Sequence, residues 1–157
     1  MMRIRRLLCA GLLPLALLAG CSSSGSSKSA TGTGTAADAA KATRTVDVQI
    51  SADGYTPPTI DVAKGETVTF RVVNNDSTVH EFVLGDAKAQ DAYEKTMAAM
   101  STQPMNGMAD TPNIIEVKAG QSKDITWAFP NAKTTVIYGS HQPGDYAKGL
   151  KGTITVK

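Results

Sequence analysis

The stretch "TVTFRVV" at residues 67–73 places Val68, Phe70 and Val72 at every second position. Threonine and arginine fill the positions between them. This period is typical of a half-buried antiparallel strand, because successive side chains of a strand point to opposite faces of the sheet. The stretch therefore predicts a strand with one face in a hydrophobic core.

The same period recurs on both sides of this strand. Turn residues separate the alternating segments, among them Asp53-Gly54 and Pro57-Pro58. The other alternating segments are "RTVDVQI" from residue 44, "VHEFVL" from 79, "NIIEVKA" from 113, "KDITWAF" from 123, "TTVIYGS" from 134 and "GTITVK" from 152. About seven or eight short strands at this spacing predict an all-β domain, a sandwich or barrel of Greek-key type.

One segment breaks the period of two. "GDAKAQDAYEKTMAAMSTQ" from residue 85 is rich in alanine, charged residues and methionine, with Tyr93, Met97 and Met100 at steps of four and three. This spacing predicts a helix of about three turns that begins at Asp86 and ends before Pro104. A long insertion in a compact all-β domain is more often functional than neutral.

Residues 1–20 are typical of a secretion signal. Arginines precede the apolar run "LLCAGLLPLALL", which is too short to span a bilayer, and "LAGC" ends at Cys21. The pattern resembles the lipobox of bacterial lipoproteins. The resemblance implies cleavage before Cys21, lipidation of that cysteine and a protein anchored on the extracytoplasmic face of the cell membrane. An ordinary signal peptide cut elsewhere is the alternative.

Residues 21–43 contain almost no large apolar side chain and consist mainly of serine, glycine, threonine and alanine. Such a segment cannot bury enough surface to offset the entropy that it loses on ordering. We therefore predict a disordered tether over residues 21–43 and one folded domain over residues 44–157.

Charge and cysteine content exclude further classes of function. The signal removes three of the sixteen basic residues and leaves thirteen against fourteen acidic ones, so the mature chain is near −1. Without a basic patch, nucleic-acid binding has no electrostatic support. Both cysteines, Cys9 and Cys21, lie outside the predicted domain, which therefore contains no thiol and no disulfide.

The stretches "YGSHQPGDYAKGLKGTITV" at residues 138–156 and "NNDSTVHEF" at residues 74–82 resemble the cupredoxins, the blue-copper family of plastocyanin and azurin. Family members hold copper with one histidine on a strand and a closing loop of pattern Cys-x-x-Pro-Gly-His-x-x-x-Gly-Met. His80 matches the first histidine, and Pro143 and Gly144 match the loop. The resemblance implies a cupredoxin-like Greek-key β-sandwich with the helical insertion between the first-histidine strand and the later strands.

The resemblance breaks down at the metal ligands. Ser140 stands where the cysteine is expected, Asp145 where the second histidine is expected, and Leu150 where the axial methionine is expected. A blue-copper site depends on a thiolate, whereas a serine hydroxyl stays protonated near neutral pH and leucine has no donor atom. We therefore predict no blue-copper centre and no electron transfer of the cupredoxin kind.

Two histidines remain as candidate ligands. If the family geometry holds, His80 lies near Asp145, and a histidine–carboxylate pair suits Cu(II) or Zn(II). The alternative is a partly buried histidine that hydrogen-bonds Asp145 or a backbone carbonyl, since His80 shares a strand face with Phe82. His141 is the other candidate ligand, but it adjoins Ser140 and is predicted to be exposed and outside the site, because neighbours in extended backbone face opposite ways.

The insertion supplies four more candidate donors, because thioethers are soft and favour Cu(I). They are Met97, Met100, Met105 and Met108. Such clusters resemble the methionine motifs of secreted copper-handling proteins. If they bind copper together with His80, all four should be accessible around a shallow opening. In the alternative they fill packing gaps, and some of them are buried against Leu150 and Phe82.

An enzyme is the third class of function. A hydrolytic triad could be drawn from Ser140, from His80 or His141, and from Asp145 or Asp110. The stretch "YGSHQ" lacks the spacing of a nucleophile elbow, however. Glu81 is predicted to point away from His80 as a solvated charge. The preferred prediction is a non-enzymatic copper-binding lipoprotein whose partners are the membrane and a copper donor or acceptor protein. The alternative is a metal-free interaction module at the cell surface.

Overall fold

The computed structural model describes residues 32–103 and 105–157, which form two five-stranded sheets. The strands are β1 Thr35–Ala36, β2 Arg44–Ser51, β3 Gly54–Thr56, β4 Thr59–Val62, β5 Thr67–Asn74, β6 His80–Gly85, β7 Ile114–Val117, β8 Ser122–Ala128, β9 Thr134–Gly139 and β10 Lys151–Val156. The first sheet has the order β1-β8-β5-β2-β3 and the second β4-β10-β9-β6-β7. The predicted all-β sandwich is confirmed.

Both sheets are mixed rather than purely antiparallel. β2 runs parallel to β5 and β4 runs parallel to β10, whereas β5 and β8 are antiparallel. The chain leaves the first sheet after β3, adds β4 to the second sheet and returns as β5 beside β2. The predicted antiparallel pairing of β5 therefore holds on one side only.

The core lies between the two sheets and follows the alternation of the sequence. Val68, Phe70 and Val72 of β5 are fully buried, and the Phe70 ring lies 5.7 Å from the Phe82 ring of the opposite sheet. Leu150, at one of the lost ligand positions, belongs to the same core with 2% of its surface exposed. Burial of each such large side chain contributes about 1.5–3 kcal/mol.

Residues before residue 44 contact the first sheet within the described part of the chain. Thr35–Ala36 pairs with β8 and forms one edge of the first sheet, and Trp127 Nε1 donates a hydrogen bond to the carbonyl of Thr33 at 2.8 Å. β1 and the 3₁₀ turn at Ala39–Lys41 thus lie within the segment that the sequence assigns to the tether, and the division at residue 44 stays a prediction. The predicted signal, Cys21 and the rest of the tether lie outside the described residues.

The insertion between β6 and β7 carries the predicted helix. α1 spans Ala87–Met100, about four turns, and Asp86 caps its start by accepting a hydrogen bond from the Ala89 N–H at 2.7 Å. Two shorter helices, 3₁₀ at Ala39–Lys41 and α2 at Asp145–Lys148, complete the described fold. Across residues 32–103 and 105–157, no helix is long and apolar enough to cross a bilayer.

Candidate functional site

The lost ligand positions lie together at one end of the sandwich, where β6 begins and a closing loop, residues 140–150, joins β9 to β10. Ser140 N–H donates to the Leu150 carbonyl at 3.0 Å and closes the base of this loop. Gly144 and Gly149 adopt φ values of 89° and 96°, which only glycine adopts at little cost. These two glycines flank α2 and allow the turn that brings Asp145 next to His80 at the start of β6.

His80 and Asp145 meet as the sequence predicts. His80 Nδ1 lies 2.7 Å from Asp145 Oδ2, and Ser140 Oγ donates to the same carboxylate oxygen at 2.5 Å. His80 Nε2 lies 2.9 Å from Asp76 Oδ2 on the preceding turn. We call these four residues, His80, Asp76, Ser140 and Asp145, the closed cluster, because side-chain hydrogen bonds among them use both ring nitrogens.

The closed cluster favours a charged imidazole. Burial lowers the pKa of His80, but its hydrogen bonds to Asp145 and Asp76 outweigh burial and raise the pKa above its ordinary value. The hydrogen bond between His80 and Asp76 lowers the pKa of Asp76. An imidazolium donates from both nitrogens and has no lone pair for a metal ion. When His80 is protonated, both ring N–H groups therefore have carboxylate acceptors and neither nitrogen can bind a metal.

These residues do not fit a blue-copper centre. Its thiolate is replaced by a hydroxyl that donates to a carboxylate, and Leu150 places carbon rather than sulfur at the axial position. In the described part of the chain, no group of three or more histidine, cysteine, aspartate or glutamate side chains is placed to hold a metal ion. Copper at these positions would therefore lack the thiolate and thioether donors of a blue-copper centre.

The order of the groups also argues against a hydrolytic triad. A triad needs the histidine between the serine and the carboxylate, so that the imidazole takes the serine proton. Here Asp145 lies between Ser140 and His80, and the hydroxyl donates to the carboxylate. The Ser140 hydroxyl has no imidazole base.

His141 is buried, and the prediction that it is exposed is wrong. Only 1% of its surface is exposed, because helix α1 covers it. Nδ1 lies 2.6 Å from Glu94 Oε2, and Nε2 lies 2.6 Å from Gln90 Oε1. The Tyr146 ring stacks on the imidazole at 4.4 Å. His141 is nevertheless outside the closed cluster, as predicted, since all these ring contacts are to other residues.

Glu81 is also buried, and the prediction of a solvated charge is wrong. Its side chain accepts hydrogen bonds from the Tyr93 hydroxyl at 2.8 Å and from the His141 N–H at 3.1 Å. Burial raises the pKa of Glu81. The face of β6 that would meet water in a plain sandwich meets helix α1 instead, and the unbroken burial of β6 is the consequence.

The four methionines differ in exposure. Met97 is buried with 1% of its surface exposed, whereas Met100 is 57% exposed and Met105 and Met108 are partly exposed. The prediction of four accessible thioethers is therefore wrong for Met97. Met97 shares the inward face of α1 with Gln90, two turns earlier, while Met100 lies at the helix end.

The segment after α1 is attached to the closing loop. We call residues 101–110 the methionine loop; Pro104 lies outside the described residues. Met105 N–H donates to Gln142 Oε1 at 2.7 Å, and Gln142 Nε2 donates to the Met105 carbonyl at 2.9 Å. Farther along, the Glu116 carboxylate accepts hydrogen bonds from the Gly107 and Met108 N–H groups at 2.9 and 2.8 Å. Sequence reasoning missed Gln142 and Glu116, since no local pattern distinguishes them.

This chain is similar to known proteins in sequence and in fold. A family profile described as a cupredoxin-like domain matches residues 12–106. The copper-resistant cuproprotein CopI of Pseudomonas aeruginosa is 33% identical over 98% of this chain and 98% of its own. The protein of the same name from Rubrivivax gelatinosus is 38% identical over 75% of this chain and 69% of its own.

Solved structures agree with the strand arrangement. Auracyanin B matches with a TM-score of 0.64 and 25% identity, over 80% of this chain and 96% of its own. The dithionite-reduced auracyanin of Roseiflexus castenholzii matches with a TM-score of 0.60 and 22% identity, over 74% of this chain and 98% of its own. The fold and the sequence thus lead to the same group of proteins.

Proposed function

This chain belongs to the cupredoxin-like domain family, and on that premise we propose that it handles copper by binding Cu(I) through methionines of its insertion. The family and the sandwich fold inferred from sequence are confirmed. Binding would not involve a blue-copper centre, because the residues at the ligand positions do not fit one. The names of the relatives, copper-resistant cuproproteins, support copper as the bound metal. The thioethers of the insertion support Cu(I) as its oxidation state.

The observation that carries this proposal is the pair of hydrogen bonds between Gln142 and the backbone of Met105. It attaches the methionine loop to the closing loop, two residues after Ser140. Glu116 attaches the same loop at Met108. Two fixed points reduce the conformational entropy that a soft metal site would lose on binding. The accessible thioethers, those of Met100, Met105 and Met108, are the proposed donors.

His80 and Met97 are left out of the proposed donor set. Both ring nitrogens of His80 face carboxylates. Met97 is buried on the inner face of α1. The proposal thus keeps the methionine chemistry of the sequence-based prediction with three donors rather than four, and without its histidine.

An anaerobic competition titration with Cu(I) against a coloured chelator tests this proposal. The protein is the chain without residues 1–21, which removes both cysteines and retains every described residue. We expect uptake of one equivalent by the wild type and at least about tenfold weaker binding by the variant Met100→Leu/Met105→Leu/Met108→Leu.

Met97→Leu is the matched control, because it makes the same change at a buried thioether. Exchanges between leucine and methionine cost less than about 1.5 kcal/mol, so both proteins should stay folded. Undiminished uptake by the triple variant would contradict the proposal, as would equal loss in the control.

One observation favours a second candidate, a metal-free interaction module. The closed cluster is hydrogen-bonded throughout, and Leu150 is packed in the core, so the former site is stable without metal. Absence of Cu(I) uptake by the wild type would favour this candidate. The search would then turn to proteins that bind the methionine loop.

We also propose that the chain is an exported lipoprotein anchored through Cys21 on the extracytoplasmic face of the cell membrane, where it would exchange copper with a donor or acceptor protein. The support is the match of residues 1–21 to a signal with a lipobox. Metabolic labelling with a fatty acid should mark the wild type and not the Cys21→Ser variant. Labelling of that variant would contradict the anchor.

A further inference from the structure

A cavity of about 360 Å³ opens between the C-terminal half of α1 and the closing loop. Its lining includes Glu94, Ala98, Ser101, Thr102, His141 and Pro143. The imidazole and the carboxylate in this lining are in direct contact, at 2.6 Å between Nδ1 and Oε2. No cupredoxin ligand position contributes to this wall, so the cavity is distinct from the closed cluster.

Gln90 decides which nitrogen of His141 carries hydrogen. Its amide nitrogen donates to the carbonyls of Val83 and Ile137 at 2.8 and 2.9 Å, so the opposite orientation of the amide would place oxygen against oxygen. The atom that faces His141 Nε2 at 2.6 Å is therefore the amide oxygen, which can only accept. Nε2 must be the donor. In the neutral ring, Nδ1 then holds the lone pair.

That lone pair points at Glu94. The Glu94 side chain is 36% exposed, so the carboxylate reaches water while the imidazole behind it is fully buried. The short contact between them requires a proton between Nδ1 and the carboxylate.

This arrangement has the features of a metal-ligating histidine. Such a histidine donates its other ring N–H to a fixed acceptor, which holds the ring orientation and leaves the first nitrogen for the metal. Gln90 supplies that acceptor, and Tyr146 stacks on the ring and limits its rotation. The Glu94 carboxylate at Nδ1 supplies a second ligand of opposite charge to the ion.

We propose that His141 Nδ1 and the Glu94 carboxylate form a site for a divalent cation, with Cu(II) the best match. The cation takes the place of the proton between the two groups. Imidazole and carboxylate suit borderline divalent ions, and Cu(II) binds such donors more tightly than Zn(II). Water and the hydroxyls of Ser101 and Thr102 are available for the remaining positions, since both residues line the cavity. With two strong protein ligands, the ion is exchangeable rather than structural.

This site is independent of the methionine proposal. Thioethers select Cu(I), whereas imidazole and carboxylate select the divalent ion. The Met100→Leu/Met105→Leu/Met108→Leu variant should therefore keep its Cu(II) site, and removal of Glu94 should leave Cu(I) uptake unchanged. Failure of one proposal is thus distinguishable from failure of the other.

The test is equilibrium dialysis with Cu(II) at neutral pH, with electron paramagnetic resonance of the bound ion, on the chain without residues 1–21. We expect one bound ion with a single imidazole nitrogen in its hyperfine pattern. Glu94→Gln should bind at least about tenfold more weakly. Asp91→Asn removes the same charge at an exposed carboxylate three residues earlier on α1, outside the cavity lining. It is the control and should weaken binding much less than Glu94→Gln does.

Broadening of histidine ring signals by Cu(II) in nuclear magnetic resonance provides a second readout that needs no variant. Signals of His141 should broaden before those of His80. Earlier broadening of His80, equal weakening by Asp91→Asn and Glu94→Gln, or no Cu(II) retained by the wild type would each overturn the proposal. Thermal unfolding of each variant verifies that lost binding is not lost folding.

Discussion

The two histidines of this protein are almost equally buried, with exposed fractions of 3% for His80 and 1% for His141, yet their chemistry differs. His80 lies between two carboxylates, those of Asp145 and Asp76. His141 lies between one carboxylate and the oxygen of an amide. The difference in the second acceptor shows that burial alone does not decide whether an imidazole is charged.

The consequence is an exchange of roles relative to a blue-copper protein. His80 occupies the position of a copper ligand but holds a proton between two anions, which raises its pKa. His141 occupies a position without a ligand role in that pattern but has an oriented ring and a lowered pKa. On the proposal above, one metal position is closed and another is offered within a few residues of the same loop.

The largest expected effect comes from restoring the ligands at the closed cluster. The variant Ser140→Cys/Asp145→His/Leu150→Met supplies the thiolate, second imidazole and thioether of a blue-copper site while His80 stays in place. We expect an intense visible charge-transfer band with one equivalent of Cu(II), where the wild type shows none. The same variant with Ser140→Ala is the control and should lack the band. A colourless triple variant that is folded would show that more than the ligands has changed.

Removal of the shared carboxylate should cost stability next. Asp145→Asn leaves the buried His80 ring without its closest anion, so we expect the free energy of unfolding to fall by about 3 kcal/mol. Urea denaturation measures this loss. Asp61→Asn, at an exposed carboxylate paired with Lys157, is the control, and its effect should be within about 1 kcal/mol. A loss no larger than that of the control would contradict the importance of the closed cluster.

Asp76→Asn makes the surroundings of His80 resemble those of His141. The substitution replaces the second carboxylate by an amide, so the pKa of His80 should fall, as seen by nuclear magnetic resonance titration of its ring signals. Asp76 is partly exposed, and the loss of stability should be only about 1 kcal/mol. An unchanged pKa of His80 would mean that Asp145 alone keeps the ring charged.

The smallest effect is the pH dependence of stability, and it has opposite signs for the two histidines. The pKa of His80 is raised on folding, so its contribution is full below the unfolded value of about 6.5 and is lost as pH rises through the folded value. The pKa of His141 is lowered, so its contribution is present above about 6.5 and is lost as pH falls through the folded value.

Urea denaturation at several pH values, with His80→Gln and His141→Gln for comparison, measures these two slopes. His80→Gln should remove the loss of stability on the alkaline side, and His141→Gln the loss on the acid side. Identical pH profiles in all three proteins would contradict the difference between the histidines.

The strands of the core were predictable from sequence because their side chains alternate. Large apolar side chains recur at every second position in β2, β5 and β8 and pack in the core, and that period is visible along the chain. β1 was not predictable, since Thr35 and Ala36 add to the sheet through backbone hydrogen bonds alone. Backbone docking leaves no side-chain pattern, so the alternation of side chains does not reveal this strand.

The candidate site was predictable where a family loop pattern applied. The approach of Asp145 to His80 followed from matching positions in that loop. The burial of Glu81 and His141 did not follow, because both are covered by a helix inserted elsewhere in the chain. Alternation predicts which side chains of a strand face the opposite sheet. It does not predict what packs on the other face of that strand.

By itself, the sequence determined the sandwich, the helical insertion and the absence of a blue-copper donor set, because period, composition and residue identity are local properties. The tertiary structure alone decided which acceptors face each histidine ring and which methionines remain accessible. Those outcomes depend on how α1 and the methionine loop pack on β6 and the closing loop. The physical reason is that the charge of an imidazole depends on its second acceptor, and only folding brings that acceptor to the ring.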